Sequence, residues 1–236
     1  MTNLNTDLPY ADFPEQVGVK PDCIKKFADE AKKNNLEFHS LIVMRYGKIA
    51  CEWYNEPYNA DMKAAMYSVS KSWTATAMGI AEAEGLLSLN DKVMSYFPEY
   101  KAKKNGNGLE MMTIKHLLTM TAGKNISYLM DRAKVDWVQY FIDSPWTNKP
   151  GKGYLYVNEN LYICLRILRK VTGLTATEYL KPRLLDPLGI EDFFWEKAPD
   201  GTDYTTNSSF KIYFKYVYSN RNIKLGKPAK SNDYIL

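Results

Sequence analysis

The sequence predicts a mixed α+β fold in which a helical region is set against an antiparallel sheet. Two observations lead to this prediction. Residues 40–54 form two β-rich runs joined at Gly47, which is the pattern of a β-hairpin. Most of the other periodic segments have apolar residues at helical spacing and end near a glycine. With an apolar fraction of 45% over 236 residues, the chain can bury a substantial core.

The predicted elements are a helix, the hairpin and then a series of helices. A capping residue followed by helical periodicity predicts the first helix over residues 22–34. The segment 70–85 is rich in Ala, Met and Glu and ends at Gly85, a natural helix stop, so it is the strongest helix prediction in the chain. Further helices are expected at residues 112–120, 135–143, 160–172 and 175–185.

The charge of the chain changes near residue 205. Residues 205–236 contain six Lys or Arg and one acid, a net charge of +5, so residues 1–204 carry −1 of the total of +4. We therefore predict a main domain over 1–204 and an atypical basic tail over 205–236, which a frameshift or premature junction would explain. A basic tail with interleaved aromatic residues can bind nucleic acid or anionic lipid. Charge runs are usually solvated surface, so no nucleic-acid partner is expected.

The start of the chain and the cysteines and histidines exclude several classes of protein. Residues 1–19 do not resemble a secretory signal and no apolar run is long enough to span a membrane, so we expect a cytoplasmic protein. Three widely spaced cysteines support neither a disulfide framework nor a zinc site, and no cofactor or metal is expected. The two histidines, His39 and His116, have apolar neighbours and are interpreted as structural. A serine nucleophile would therefore depend on a lysine.

A candidate nucleophile with its own base occurs at Ser68 and Lys71, where a helix is expected to begin. Residues three apart lie on one face of a helix, so the hydroxyl and the amine can form a hydrogen bond. Lys71 could then accept the proton of Ser68. The spacing is common by chance and recurs at Ser208 and Lys211. Ser68 could instead be an N-cap, and Lys71 a solvated helix residue.

A second candidate motif is Tyr156-Val157-Asn158, which precedes the helix predicted at 160–172. A tyrosine near an ammonium has its phenolate favoured, so Tyr156 could transfer protons. The Asn158 amide could hydrogen-bond a substrate amide and hold Lys71 in place. Both could also be ordinary loop residues, since the same Y-x-N pattern recurs at residues 218–220.

Residues 66–73, with the sequence Met-Tyr-Ser-Val-Ser-Lys-Ser-Trp, and residues 79–92 resemble the nucleophile segment of the serine β-lactamase-related family. This family includes class C β-lactamases, D-aminopeptidases, penicillin-binding carboxypeptidases and esterases. Residues 113–123 resemble the segment that leads into its active-site loop, although Met120 and Ala122 stand where histidine and serine are commoner. Residues 156–158 resemble its second motif, and the resemblance covers about residues 20–200.

The resemblance implies a β-lactamase/transpeptidase-like fold and a serine hydrolase that acts on an amide, lactam or ester. Its substrate would be a small molecule, a peptide or an ester. Ser68 would be acylated, Lys71 and Tyr156 would share the proton transfers, and Asn158 would bind substrate. The Ser68 N–H would donate one hydrogen bond to the oxyanion, with help from the helix dipole.

A third motif of the family, a Lys or His followed by a small residue and Gly, is not found. The nearest string is residues 224–226, Lys-Leu-Gly, which lacks the small hydroxyl residue. We therefore expect the C-terminal strands of the sheet to be missing, by truncation or divergence, and the activity to be impaired. An isolated hairpin exposes backbone that could pair with a second copy, so a homodimer is possible. The alternative is a catalytically inactive remnant that serves as a binding or regulatory module.

Overall fold

The structure is a computed structural model that describes residues 8–59, 62, 64–126, 136–190, 193–204 and 211–212. The described residues belong to two compact units. Of the described residues, the first unit contains those between 8 and 64 together with 188–190, and the second contains 65–126, 136–187, 193–204 and 211–212. Of the predicted basic tail, only Lys211–Ile212 is described, so the predicted boundary near residue 205 stays a prediction.

The first unit contains one long helix, which lies close to its predicted position. Helix α1 spans Pro21–Lys33, and a 3₁₀ turn at Pro14–Val17 precedes it. The prediction of a capping side chain was wrong: the N-cap is Lys20, which makes no side-chain cap, and Pro21 supplies a preset φ in the first turn. Ala28 and Ala31 are buried on its inner face.

The predicted hairpin is confirmed, with β1 at Ser40–Arg45 and β2 at Lys48–Tyr54 in antiparallel pairing. Both residues of its turn, Tyr46 and Gly47, have left-handed backbones, which gives the turn the twist that suits two strands. An irregularity after Val43 shifts the register, a feature that the sequence does not reveal.

The outer edge of β2 is partly covered. The N–H of Ile49 donates to the Pro9 carbonyl at 2.9 Å, and the Ile49 carbonyl accepts from the N–H of Ala11 at 2.9 Å. Part of the β2 edge that was expected to pair with a second copy is therefore already occupied by residues 9–11. A homodimer through this edge stays a prediction.

The second unit is mainly helical, as predicted, and α5 is at its centre. Helices α2 and α3 both pack on α5, and most residues of α5 from Glu159 to Leu168 are buried. The sequence pattern of α5 is amphipathic, but neighbouring helices cover most of its N-terminal half. The helices are α2 (Ser70–Ala83), α3 (Ile114–Leu118), α4 (Trp137–Asp143), α5 (Glu159–Thr172) and α6 (Ala176–Leu180).

Two predicted helices are shorter than expected. Residues 112–120 form only the five-residue α3, because Thr113 caps its start and Met120 has a left-handed backbone. The helix predicted over 175–185 ends as α6 and continues as a π-helix over Lys181–Leu185. Pro182 lies in that turn and has no N–H for an α-helical hydrogen bond.

Short elements complete the second unit. Among the described residues, 3₁₀ turns occupy Tyr67–Val69, Val93–Tyr96 and Leu109–Met111. A separate two-stranded sheet consists of β3 (Ala64–Ala65) and β4 (Lys211–Ile212). The longest helices, α2 and α5, have 14 residues each, and no helix in the described ranges could cross a membrane.

Candidate active site

Ser68 lies in the 3₁₀ turn that leads directly into α2. Helix α2 begins at Ser70, as predicted, so Ser68 lies two residues before its first turn. Its N-cap is Val69, and no side chain caps it, so the interpretation of Ser68 as a simple N-cap is wrong. The turn and the first residues of the helix together keep Ser68 and Lys71 on one side.

Three polar side chains meet at Ser68. Lys71 Nζ donates a hydrogen bond to Ser68 Oγ at 3.0 Å. Ser68 Oγ and Tyr156 Oη share a hydrogen bond at 2.6 Å, although 88 residues separate them in the chain. Lys71 Nζ is also 4.9 Å from the centre of the Tyr156 ring, within the range of a cation–π contact. The predicted residues Ser68, Lys71 and Tyr156 therefore form one contiguous group.

The environment of Tyr156 favours its phenolate. Partial burial raises the pKa of Tyr156, but the hydrogen bonds from Lys71 and Ser68 and the positive charge of Lys71 outweigh it and bring the pKa below its usual value. Tyr156 keeps 46% of its surface exposed, so a substrate can reach the group. A tyrosine with a lowered pKa beside a hydroxyl is a suitable general base.

A backbone hydrogen bond holds the segment that contains Tyr156. The N–H of Leu155 donates to the carbonyl of Met120 at 2.9 Å. Met120 has φ 57°, and Gly123 has φ 82°, so the chain reverses sharply after α3. A Cβ on Gly123 would lie 2.1 Å from the carbonyl oxygen of Asn148, so only glycine fits there. Met120 and Gly123 belong to the motif at residues 113–123, but the sequence does not show that this motif positions Tyr156.

Asn158 is the N-cap residue of α5 and is only 6% exposed. Its backbone carbonyl accepts a hydrogen bond from the N–H of Leu161 at 3.0 Å. Its side-chain Oδ1 has no hydrogen-bond partner within the described part of the chain. A buried amide oxygen without a partner is costly, which is consistent with a group that waits for a ligand.

A second buried amide oxygen without a partner belongs to Asn160, which is 1% exposed. Its Nδ2 is 3.5 Å from the sulfur of Met120, a weak acceptor. The thioether of Met120 cannot donate a hydrogen bond to Oδ1. The unsatisfied Oδ1 of Asn160 therefore lies close to Met120, whose carbonyl holds the segment that contains Tyr156.

The remaining candidates are structural or lie elsewhere. His116 Nδ1 accepts a hydrogen bond from the N–H of Thr113 at 3.2 Å, which completes the cap of α3. Burial and the charges of Lys92 and Lys115 lower the pKa of His116. No group of three or more His, Cys, Asp or Glu in the described ranges could hold a metal ion. The repeated motifs at 208–211 and 218–220 and the string at 224–226 lie outside those ranges, apart from Lys211.

Comparisons with known proteins show which proteins the chain is similar to. A family model described as "Beta-lactamase" matches residues 26–211. The chain is 26% identical to Protein flp of Staphylococcus aureus strain MW2, over 69% of this chain and 35% of that protein. It is 31% identical to a beta-lactamase of Escherichia coli K12, over 61% of this chain and 37% of that protein. The chain thus spans about a third of the length of the curated relatives that it matches.

Two solved structures have the same fold. A putative 6-aminohexanoate-dimer hydrolase from Bacillus anthracis aligns with a TM-score of 0.64 and 16% identity, over 87% of this chain and 59% of the other. A beta-lactamase/D-alanine carboxypeptidase from Pseudomonas syringae aligns with a TM-score of 0.61 and 23% identity, over 72% of this chain and 49% of the other. The predicted β-lactamase/transpeptidase-like fold is therefore confirmed.

Proposed function

Since the chain belongs to the beta-lactamase family, we propose that it is a serine hydrolase that cleaves an amide, lactam or ester through an acyl-serine intermediate. The main support is the hydroxyl of Ser68, which lies 2.6 Å from Tyr156 Oη and 3.0 Å from Lys71 Nζ. Both distances suit proton transfer. The substrate would be a small molecule, a peptide or an ester.

In the acylation step, Ser68 Oγ attacks the carbonyl carbon of the substrate. The phenolate of Tyr156 takes the proton of the hydroxyl, and the ammonium of Lys71 stabilises that phenolate. The tetrahedral intermediate then collapses, and Tyr156 returns the proton to the leaving nitrogen or oxygen. The products of this step are the acylated Ser68 and a free amine or alcohol.

Deacylation uses the same groups in reverse. A water molecule gives a proton to Tyr156 and attacks the acyl carbon, and Ser68 leaves with the proton that Tyr156 returns. The net reaction adds one water to the substrate and yields a carboxylic acid and the amine or alcohol. Asn158, with its unpartnered Oδ1, would hydrogen-bond the N–H of a substrate amide.

The negative charge that develops on the substrate oxygen needs hydrogen-bond donors. The backbone N–H of Ser68 is the proposed first donor, and the N-terminal end of α2 favours negative charge nearby. Removing one such donor typically lowers the rate by a hundredfold or more, so this N–H is expected to contribute strongly.

Intact-mass spectrometry tests the proposal. The wild type is incubated with a fluorophosphonate and, separately, with a β-lactam, alongside Ser68→Ala and Ser72→Ala. Ser72 is an exposed serine on α2 and serves as the matched control. We expect one adduct per chain on the wild type and on Ser72→Ala, and none on Ser68→Ala. A wild type that forms no adduct with either probe would refute the proposal and favour the catalytically inactive binding module.

A further inference from the structure

The residue before Ser68 has an unusual backbone. Tyr67 has φ 42°, in the left-handed region that bulky side chains rarely adopt. Its side chain is 53% exposed, so the packing of the ring does not impose this conformation. Contacts to the backbone must therefore hold the turn in a strained state.

The side chain of Ser70 makes such a contact. Its hydroxyl donates a hydrogen bond to the carbonyl oxygen of Tyr67 at 2.5 Å. Ser70 has no exposed surface, so water does not compete for this bond. The backbone N–H of Ser70 is shared between the carbonyls of Ser68 and Tyr67, and the N–H of Val69 donates to the Met66 carbonyl at 2.9 Å. The hydroxyl of Ser70 thus holds the carbonyl of Tyr67, with a shared contribution from the Ser70 N–H.

The position of this carbonyl determines the direction of the Ser68 N–H. The two groups belong to one peptide, and in a trans peptide the C=O and the N–H point in opposite directions. The one cis bond in the described residues is Glu56–Pro57, so the Tyr67–Ser68 peptide is trans. When Ser70 holds the carbonyl of Tyr67, it therefore also sets the direction of the Ser68 N–H.

We propose that Ser70 is a positioning residue, whose hydroxyl aims the N–H of Ser68 at the oxyanion of the substrate. The inference rests on the proposed function, in which this N–H stabilises the developing charge. A donor that is oriented before the reaction costs no reorganisation during it. Without the hydroxyl, one backbone N–H remains on the Tyr67 carbonyl, and the strained peptide can rotate more freely.

Single-turnover acylation by an activated p-nitrophenyl ester and by its thionoester counterpart tests the inference. Ser70→Ala removes the hydrogen bond to the Tyr67 carbonyl. We therefore expect the saturating acylation rate with the ester to fall about tenfold, with an unchanged half-saturation concentration. The loss should be clearly smaller with the thionoester, because sulfur is a weak hydrogen-bond acceptor. Ser70→Thr keeps the hydroxyl and should keep most of the rate. Ser72→Ala, at the exposed serine on α2, is the matched control.

Three results would overturn the inference. A Ser70→Ala rate equal to the wild type would exclude a positioning role and leave the proposed function standing. Equal losses with ester and thionoester would show that the variant displaces Ser68 itself. A wild type that neither substrate acylates would refute the proposed function and this inference with it. If circular dichroism shows that Ser70→Ala is unfolded, Ser70→Cys, with a similar shape and a weaker donor, is subject to the same comparison.

Discussion

Lys124 allows a quantitative prediction, because it is a lysine with no exposed surface. Its Nζ donates hydrogen bonds to three carbonyl oxygens, at 3.0 Å to Asn105 and at 2.8 Å to Ile142 and Ser144. The same atom lies 3.9 Å from the centre of the Trp146 ring. The ammonium is thus surrounded by dipoles and by an aromatic face instead of water.

Burial lowers the pKa of Lys124 to about 8, and the charge of Asp143 offsets only part of this effect. In the unfolded chain a lysine keeps its proton up to a pH of about 10.4. Between these two values the unfolded chain binds one proton more than the folded protein, so the free energy of unfolding rises with pH by about 1.4 kcal/mol per unit. The folded group is still half-protonated at pH 8, so the gain from this group between pH 8 and 9.5 is about 1.6 kcal/mol.

The measurement is urea denaturation of the wild type and of Lys124→Met from pH 7 to 9.5. Tyrosines and cysteines also titrate near this range, but their contributions are common to both proteins and cancel in the difference. We expect the wild type to gain stability relative to Lys124→Met by about 1.6 kcal/mol as the pH rises from 8 to 9.5. Lys149→Met, at an exposed lysine, controls for the loss of a surface charge. A difference between the wild type and Lys124→Met that does not change with pH would refute the reasoning.

Three further predictions concern the site and its support. Tyr156→Phe should slow labelling by a fluorophosphonate by a factor of about 10² to 10⁴, because it removes the proposed base; an unchanged labelling rate would argue against that role. The lowered pKa of His116 means that the cap of α3 is fully stable above pH 6.5 and loses stability as the pH falls through the folded pKa. His116→Asn should reduce this acid dependence in urea titrations from pH 7.5 to 5, and an identical dependence would contradict it. Met120→His should raise the free energy of unfolding by about 1 kcal/mol, because histidine tolerates the left-handed backbone and its ring N–H can donate to Asn160 Oδ1; a less stable variant would exclude this.

Local patterns in the sequence were sufficient for the elements whose interactions are short-range. The turn of the hairpin at Gly47 and the spacing of Ser68 and Lys71 depend on residues that are close in the chain, and both were predicted. The ends of α3 and α6 were missed, because they were placed by the periodicity of the apolar residues and not by the cap at Thr113 or the proline in the π-helix. The periodicity of the apolar residues continues past such points.

The sequence by itself determined the order of the main helices and of the hairpin strands, the serine–lysine pair and, through its motifs, the family. Only the tertiary structure decided which groups surround that pair. Tyr156 reaches Ser68 because a backbone bond from Leu155 to Met120 holds its segment, and no local pattern encodes a contact across 88 residues. The burial of Lys124 and the strained turn at Tyr67 are likewise invisible in the sequence. A polar group inside a protein is stabilised by partners that folding brings together, and those partners cannot be identified from the sequence alone.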